Sequence, residues 1–160
     1  MLKYVNYDIT FQEIPDEITL CINISNCPCH CIGCHSSYLA ENIGEKLTLD
    51  KIYKLIENNE GITCICFMGG DSSPKEIDMF AGCIKDLYDI KVAWYSGRQE
   101  LSKYINLKCF DFIKLGPYIE EFGPLNSKTT NQRFYQVIKS HYEDGTSGYE
   151  LLDVTYKFWK

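Results

Sequence analysis

The sequence predicts one α/β domain built on a parallel β-sheet, and three observations lead to this prediction. Strand-like and helix-like segments alternate through the core of the chain, at about residues 16–116. Such alternation requires crossover connections, which make neighbouring strands parallel. Each predicted strand is followed by a distinctive loop, at the edge where parallel folds build their sites. The C-terminal segment, at about residues 117–160, is irregular and then β-like, and the whole of residues 1–160 reads as a single domain.

The first strand and the first helix follow from two different hydrophobic periods. ITLCINIS, residues 18–25, alternates apolar and polar side chains, which is typical of a strand. The following LTLDKIYKLIENNEG has apolar residues at helical spacing, with Thr48 as the predicted N-cap and Gly61 beyond the end.

The later elements repeat this order. ITCICFMGG predicts a buried strand that ends at Gly69-Gly70, and Ser73, Pro74 and Glu76 then predict the start of a capped helix. IKVAWYSG and FDFIKLG predict two more strands, with a short helix over Gln99–Tyr104 between them. The C-terminal segment predicts two β segments joined around Asp144-Gly145.

Composition excludes several classes of function. Sixteen Lys and Arg residues against 22 Asp and Glu residues give a net charge of −6, which argues against nucleic acid as a partner. No apolar run approaches the ~20 residues of a membrane span, and the N-terminal stretch lacks the apolar region of a signal peptide. We therefore expect a cytoplasmic protein without a membrane partner, in which the nine cysteines stay reduced.

The densest chemistry lies in NCPCHCIGCHSSY, which contains Cys27, Cys29, Cys31 and Cys34. The spacing Cys27-x₃-Cys31-x₂-Cys34 is suited to three irons of a [4Fe–4S] cluster, with the fourth iron open to another ligand. Cys29 is then an extra thiol. Two alternatives stay open on spacing alone: a zinc site completed by Cys29, His30 or His35, and a redox pair of Cys31 and Cys34.

Motif order adds a resemblance to a known superfamily. A cysteine motif after a first strand, followed by a strand with a Gly-Gly-acid ending, resembles the radical AdoMet enzymes. NISNCPCHCIGCHSSY, CFMGGD, AWYSGR, FDFIKLGPYIEEFGPL and TTNQR together resemble the activating proteins of the anaerobic (class III) ribonucleoside-triphosphate reductases. This resemblance implies a small, incomplete parallel β/α barrel of the radical AdoMet type with an irregular and β C-terminal segment.

The resemblance also implies an activity. The chain would be an oxidoreductase that cleaves S-adenosylmethionine reductively at the open iron of its [4Fe–4S] cluster. The resulting 5′-deoxyadenosyl radical would take a hydrogen atom from a glycine of the reductase, leaving a glycyl radical. The implied partners are the glycyl-radical subunit of that reductase and an electron donor such as flavodoxin.

The resemblance also assigns site residues, by matching the motifs of the family to positions in this chain. Cys27, Cys31 and Cys34 would ligate the cluster. The residues implied in S-adenosylmethionine binding are Gly33, Cys34, His35, Gly69, Gly70, Asp71, Ser96 and Lys114. Two positions depart from the common pattern: Gly33 stands where many members have an aromatic residue, and Asp71 replaces a glutamate.

Other functions remain open at this point. One is another compact radical AdoMet enzyme, either an activase of a different glycyl-radical enzyme or a deazapurine-forming synthase. A second is a zinc-binding module without catalysis. Asn131, Gln132 and Arg133 are further candidates to line the site, and the aromatic stretch from Tyr149 to Trp159 is a candidate docking patch.

Overall fold

One mixed β-sheet of eight strands organises the chain, whose residues 1–159 are described by a computed structural model. The strands stand in the order β3-β1-β2-β4-β5-β6-β7-β8. Their bounds are β1 Lys3–Thr10, β2 Thr19–Ile24, β3 Glu45–Lys46, β4 Cys64–Met68, β5 Lys91–Tyr95, β6 Phe112–Leu115, β7 Arg133–His141 and β8 Ser147–Asp153. The four predicted core strands are thereby confirmed as β2, β4, β5 and β6.

Strand direction changes between the centre and the edges of the sheet. The central pairs β2–β4, β4–β5 and β5–β6 are parallel. The outer pairs β1–β2, β1–β3, β6–β7 and β7–β8 are antiparallel. The predicted pair of C-terminal β segments is confirmed as the β7–β8 hairpin, which passes through Asp144-Gly145.

Two α-helices, α1 Leu49–Glu57 and α2 Pro74–Leu87, lie within residues 1–159. Both begin at the predicted positions. Thr48 Oγ1 accepts a hydrogen bond from Lys51 N at 3.2 Å, and Pro74 is the first residue of α2, but the side chain of Ser73 makes no capping hydrogen bond. Short 3₁₀ helices cover Ser37–Ala40, Leu107–Cys109 and Thr155–Phe158. Within the described part of the chain, no helix has the length and apolar character that crossing a membrane requires.

The predicted partial parallel β/α barrel is wrong. The sheet is small and mixed, most of its pairings are antiparallel, and only two α-helices accompany it among the described residues 1–159. The helix expected over Gln99–Tyr104 is absent, and those residues form turns and bends. The physical reason is that antiparallel strands take up the backbone hydrogen bonds at both edges of the parallel centre, so the sheet grows by hairpin-like additions rather than by further crossover units.

Both faces of the central strands are buried, in two separate hydrophobic cores. The helix-side core packs α1 and α2 onto Leu20, Ile22, Phe67 and Trp94 among other residues. The cavity-side core lies on the opposite face and comprises Ile14, Cys21, Cys64, Cys66, Ala93, Phe112, Phe134 and Val154. The face of β2 that alternation predicted to be polar is therefore buried too, and Cys21, Cys64 and Cys66 act there as small apolar side chains.

Candidate metal centre

The four predicted loops meet at one edge of the sheet, because β2, β4, β5 and β6 run parallel and end on the same side. The cysteine loop follows β2, and Gly69-Gly70-Asp71 follows β4. Ser96-Gly97 follows β5, and Gly116-Pro117 follows β6. The convergence expected from the sequence is confirmed for these loops.

The cysteine loop has little regular structure and turns back on itself. Its backbone takes positive φ values at Asn26, His30 and Gly33, of 59°, 46° and 77°. Asn26 N and Cys27 N donate to Glu41 O and Leu39 O, both at 2.9 Å, and so fix the start of the loop. All four loop thiols are free and half-buried. Clustered thiols on a short loop suit iron–sulfur or zinc chemistry, because thiolate is the preferred protein ligand of both.

The three closest metal-ligating atoms are not the predicted triad. The sulfurs of Cys27 and Cys29 and a carboxylate oxygen of Asp71 all lie within 4.8 Å of one another. Cys31 and Cys34 belong to no group of three donors this close among residues 1–159. Cluster ligands bind separate irons, so they need not approach one another as closely as the ligands of a single ion.

Asp71 anchors this part of the site. Its side chain is 7% exposed, and Ser96 Oγ donates to its Oδ1 at 2.5 Å while Gly97 N donates to its Oδ2 at 2.9 Å. The thiol of Cys29 donates to the same Oδ2, with a sulfur–oxygen distance of 3.7 Å. Asp71 and Ser96, both expected near S-adenosylmethionine, are therefore brought together and hydrogen-bonded to each other.

Cys29, the extra thiol of the sequence, packs into this contact. Burial, followed by the negative charge of Asp71 and of Cys27, raises the pKa of the Cys29 thiol to about 12. A Cβ atom on Gly97 would lie 2.8 Å from Cys29 Sγ. The glycine after β5 therefore leaves the space in which the Cys29 sulfur sits.

Backbone conformation and close packing favour glycine at both positions of the Gly69-Gly70 turn. Both glycines have positive φ, of 101° and 96°, and a Cβ on Gly70 would lie 2.6 Å from Ile77 Cδ1. The carbonyl of Gly69 accepts from Trp94 Nε1 at 2.7 Å. That of Gly70 accepts from Ser73 N at 3.0 Å. Each carbonyl oxygen keeps a second lone pair that can accept a further hydrogen bond.

A cavity of about 940 Å³ opens beside the end of the cysteine loop. Its size lies within the range of pockets that hold small molecules and cofactors. Three of the predicted ligand-binding residues, Cys34, His35 and Lys114, line it. Gly33, Gly69, Gly70, Asp71 and Ser96 do not, so the structure divides the predicted set between the cavity and the neighbouring loops. The other lining residues are Phe11, Gln12, Glu13, Pro15, Asp16, Tyr95, Tyr118, Pro124, Leu125, Asn126, Gln132, Lys157 and Phe158.

Lys114 and Glu13 bring opposite charges to this cavity. Burial lowers the pKa of Lys114, whose Nζ donates to Gly116 O at 3.0 Å and is 5.6 Å from the ring centroid of Tyr95. Burial raises the pKa of Glu13, and the charge of Lys114 opposes that shift. A ligand that carries both a positive and a negative group matches such a lining.

Sequence reasoning missed Glu13, Asp16 and Tyr118 as lining residues. Glu13 and Asp16 lie in the connection between β1 and β2, which carries no periodic signal, and β1 itself was not predicted. Gln132 was a candidate to line the site, and it lines the cavity; Asn131 and Arg133 do not. In the predicted docking patch Tyr156 is exposed, whereas Phe158 packs against the cavity-side core.

Comparisons of the chain with protein-family models, with curated proteins and with solved structures return no match.

Proposed function

We propose that this chain is a radical AdoMet activase, which holds a [4Fe–4S] cluster through Cys27, Cys31 and Cys34 and generates a glycyl radical on an anaerobic ribonucleotide reductase. The observation that carries the proposal is the placement of four free thiols on one loop, beside a cavity of about 940 Å³. When bound, a cluster with three thiolate ligands supplies one electron to S-adenosylmethionine held at its open iron. The resemblance of the motifs supports the same activity.

The chain's own residues would bind and orient the ligand. Lys114 offers a buried ammonium group, which suits a ligand carboxylate because each desolvated charge is stabilised by the other. Glu13 offers the opposite charge for a cationic group. Tyr95 and Tyr118 give the cavity aromatic walls, against which a flat ring can pack.

The first test is cofactor chemistry. The metal-stripped chain is reconstituted anaerobically with iron and sulfide, reduced chemically and given S-adenosylmethionine. We expect about one [4Fe–4S] cluster per chain, an EPR signal that changes when S-adenosylmethionine is added, and the release of 5′-deoxyadenosine. Failure of the metal-free chain to take up iron and sulfide would contradict the proposal.

Single Cys-to-Ser variants test the ligand set. Cys27→Ser, Cys31→Ser and Cys34→Ser should each lower 5′-deoxyadenosine formation to background, because each removes the thiolate of one iron. Cys83→Ser is the matched control: this half-buried thiol lies on α2, away from the cysteine loop, and its loss should leave the product yield unchanged. Loss of the cluster in Cys29→Ser would mean that Cys29 is a ligand and that the proposed register is wrong.

The partner is tested separately from the cofactor. Mixing the reconstituted chain with an anaerobic ribonucleotide reductase and S-adenosylmethionine should produce the EPR doublet of a glycyl radical. Cleavage of S-adenosylmethionine without that doublet would favour the activase of another glycyl-radical enzyme or a deazapurine-forming synthase.

A further inference from the structure

Three metal-ligating atoms converge in a group that shares only Cys27 with the predicted cluster triad. The sulfurs of Cys27 and Cys29 and a carboxylate oxygen of Asp71 lie within 4.8 Å of one another, although they come from two different loops. In a tetrahedral zinc site, metal–sulfur distances of about 2.3 Å and metal–oxygen distances of about 2.1 Å place the donor atoms roughly 3.5–3.8 Å apart. Shifts of about 1 Å would bring these three atoms to that spacing.

We propose that Cys27, Cys29 and Asp71 form a site for one Zn²⁺ ion, which shares Cys27 with the cluster site and excludes the cluster when it is filled. Two thiolates and one carboxylate are ligands that Zn²⁺ accepts, and three protein ligands leave one position for water. The zinc site itself does not depend on the proposed function. Only its competition with the cluster does.

Asp71 already accepts the kind of supporting hydrogen bonds that orient a carboxylate ligand in a metal site. Ser96 Oγ and Gly97 N hold the carboxylate at 2.5 and 2.9 Å, and such outer hydrogen bonds orient ligands in metal sites. Asp71 is buried, so its carboxylate is fixed before any ion binds.

The ion would replace a proton that now joins two of the same atoms. The Cys29 thiol donates to Asp71 Oδ2 across 3.7 Å. Zn²⁺ binds the thiolate form of cysteine. When it binds between the Cys29 sulfur and the carboxylate, the Cys29 thiol proton goes to solvent, and Cys27 loses its thiol proton in the same way. Gly97 keeps this volume open, since a Cβ there would lie 2.8 Å from Cys29 Sγ.

The test uses the full chain, stripped of metal with a chelator, reduced, and titrated anaerobically with Co²⁺ as a spectroscopic probe that Zn²⁺ then displaces. We expect one Co²⁺ per chain, with the intense visible bands of a tetrahedral ion and a sulfur-to-cobalt charge-transfer band. Cys29→Ser and Asp71→Asn should each weaken binding at least about tenfold, since even the loss of an outer-shell partner costs 10- to 100-fold.

Cys31→Ser and Cys34→Ser are the matched controls and should bind Co²⁺ as the unsubstituted chain does. Weakened binding in either control, with unchanged binding in Cys29→Ser, would overturn the assignment in favour of a site built from other loop thiols. So would the absence of one-to-one binding by the unsubstituted chain. If Asp71→Asn does not fold, Cys29→Ser decides, because its hydroxyl can still donate to Asp71.

Competition is measured by offering iron and sulfide to the zinc-loaded chain. Cluster content should fall in proportion to the zinc retained, and a chain that holds both one Zn²⁺ and a complete cluster would overturn the exclusion. If the zinc-free chain assembles no cluster, the proposed function fails while the Co²⁺ titration still decides the zinc site.

Discussion

Glu13 and Lys114 are two oppositely charged residues on the wall of the cavity. Both charged groups are partly or largely removed from water on the cavity wall, and burial is the main cause of each pKa shift. Their mutual attraction does not offset that cost for Glu13, because its pKa stays raised. A binding site bears such a cost when a ligand later supplies the missing charges.

This cost predicts a pH-dependent effect of Glu13→Gln on stability. A carboxyl whose pKa is higher in the folded than in the unfolded chain stabilises the fold at low pH and loses that contribution as the pH rises through the folded value. The pKa of Glu13 is raised from an ordinary value of 4.5, so the loss begins above about that pH. The glutamine variant should therefore be more stable than the metal-free parent near pH 7, but not near pH 3, where Glu13 is neutral.

Urea unfolding at both pH values measures this difference. Glu60→Gln is the matched control, because Glu60 is exposed and its substitution should shift the free energy of unfolding by no more than about 0.5 kcal/mol at either pH. A Glu13→Gln variant that is less stable than the parent near pH 7 would show that the attraction between the charges of Glu13 and Lys114 outweighs the burial of the carboxylate.

At the scale of single residues, the sequence indicates which side chains lie at the candidate site but not which contacts they make. The cysteine spacing and the Gly-Gly-Asp order identify Cys27 and Asp71 as candidate site residues, because each motif is a short continuous stretch of the sequence. These motifs do not reveal that Ser96 and Gly97 donate hydrogen bonds to Asp71. Asp71 follows β4 and the two donors follow β5, so the contact depends on how the two strand ends lie in the folded sheet. Cys29 is visible in the sequence as an extra thiol, and only the structure gives it a partner.

Elements with strong local signals follow the sequence closely. The helices α1 and α2 begin at their predicted caps, and β4, β5 and β6 are predicted by continuous apolar runs. β1 was missed because Lys3–Thr10 is mostly half-buried or exposed, so it has no strong apolar pattern. Gln99–Tyr104 forms no helix, and its short stretch lacks the caps that begin α1 and α2.

The hairpin β7–β8 is held to the sheet by one aromatic residue in particular. Phe134 is fully buried, and its ring centroid lies 5.5 Å from that of Phe112, 6.3 Å from that of Tyr95 and 5.0 Å from that of Phe158. Phe134→Ala should lower the free energy of unfolding by about 3–5 kcal/mol, because it removes these contacts and leaves a cavity.

Chemical denaturation of the metal-free chain measures this effect. Phe11→Ala is the matched control, since Phe11 is 70% exposed and its truncation should cost no more than about 0.5 kcal/mol. Equal costs in the two variants would mean that the hairpin is not anchored through Phe134.

For the whole molecule, the central strands are buried on both faces, and the candidate site lies at one edge of the sheet. Helices cover one face, and the β1–β2 connection, the hairpin and the C-terminal 3₁₀ helix contribute to the other. The fold class was mispredicted at this scale. Hydrophobic period identifies strands but not their direction, and the antiparallel additions at both edges depend on backbone pairing between distant segments.

Hydrogen exchange should reveal this division directly. In the metal-free chain we expect the amides of β2, β4, β5 and β6 to exchange slowest, because they are paired on both sides and buried on both faces. Residues 26–36 should exchange fast, since few of their amides have backbone partners. Binding of a cluster or of Zn²⁺ to this loop should slow its exchange, while the exposed hairpin turn around Gly145 should not change. If the amides of residues 26–36 already exchange slowly without metal, and metal does not change their exchange, the loop is ordered by the protein alone.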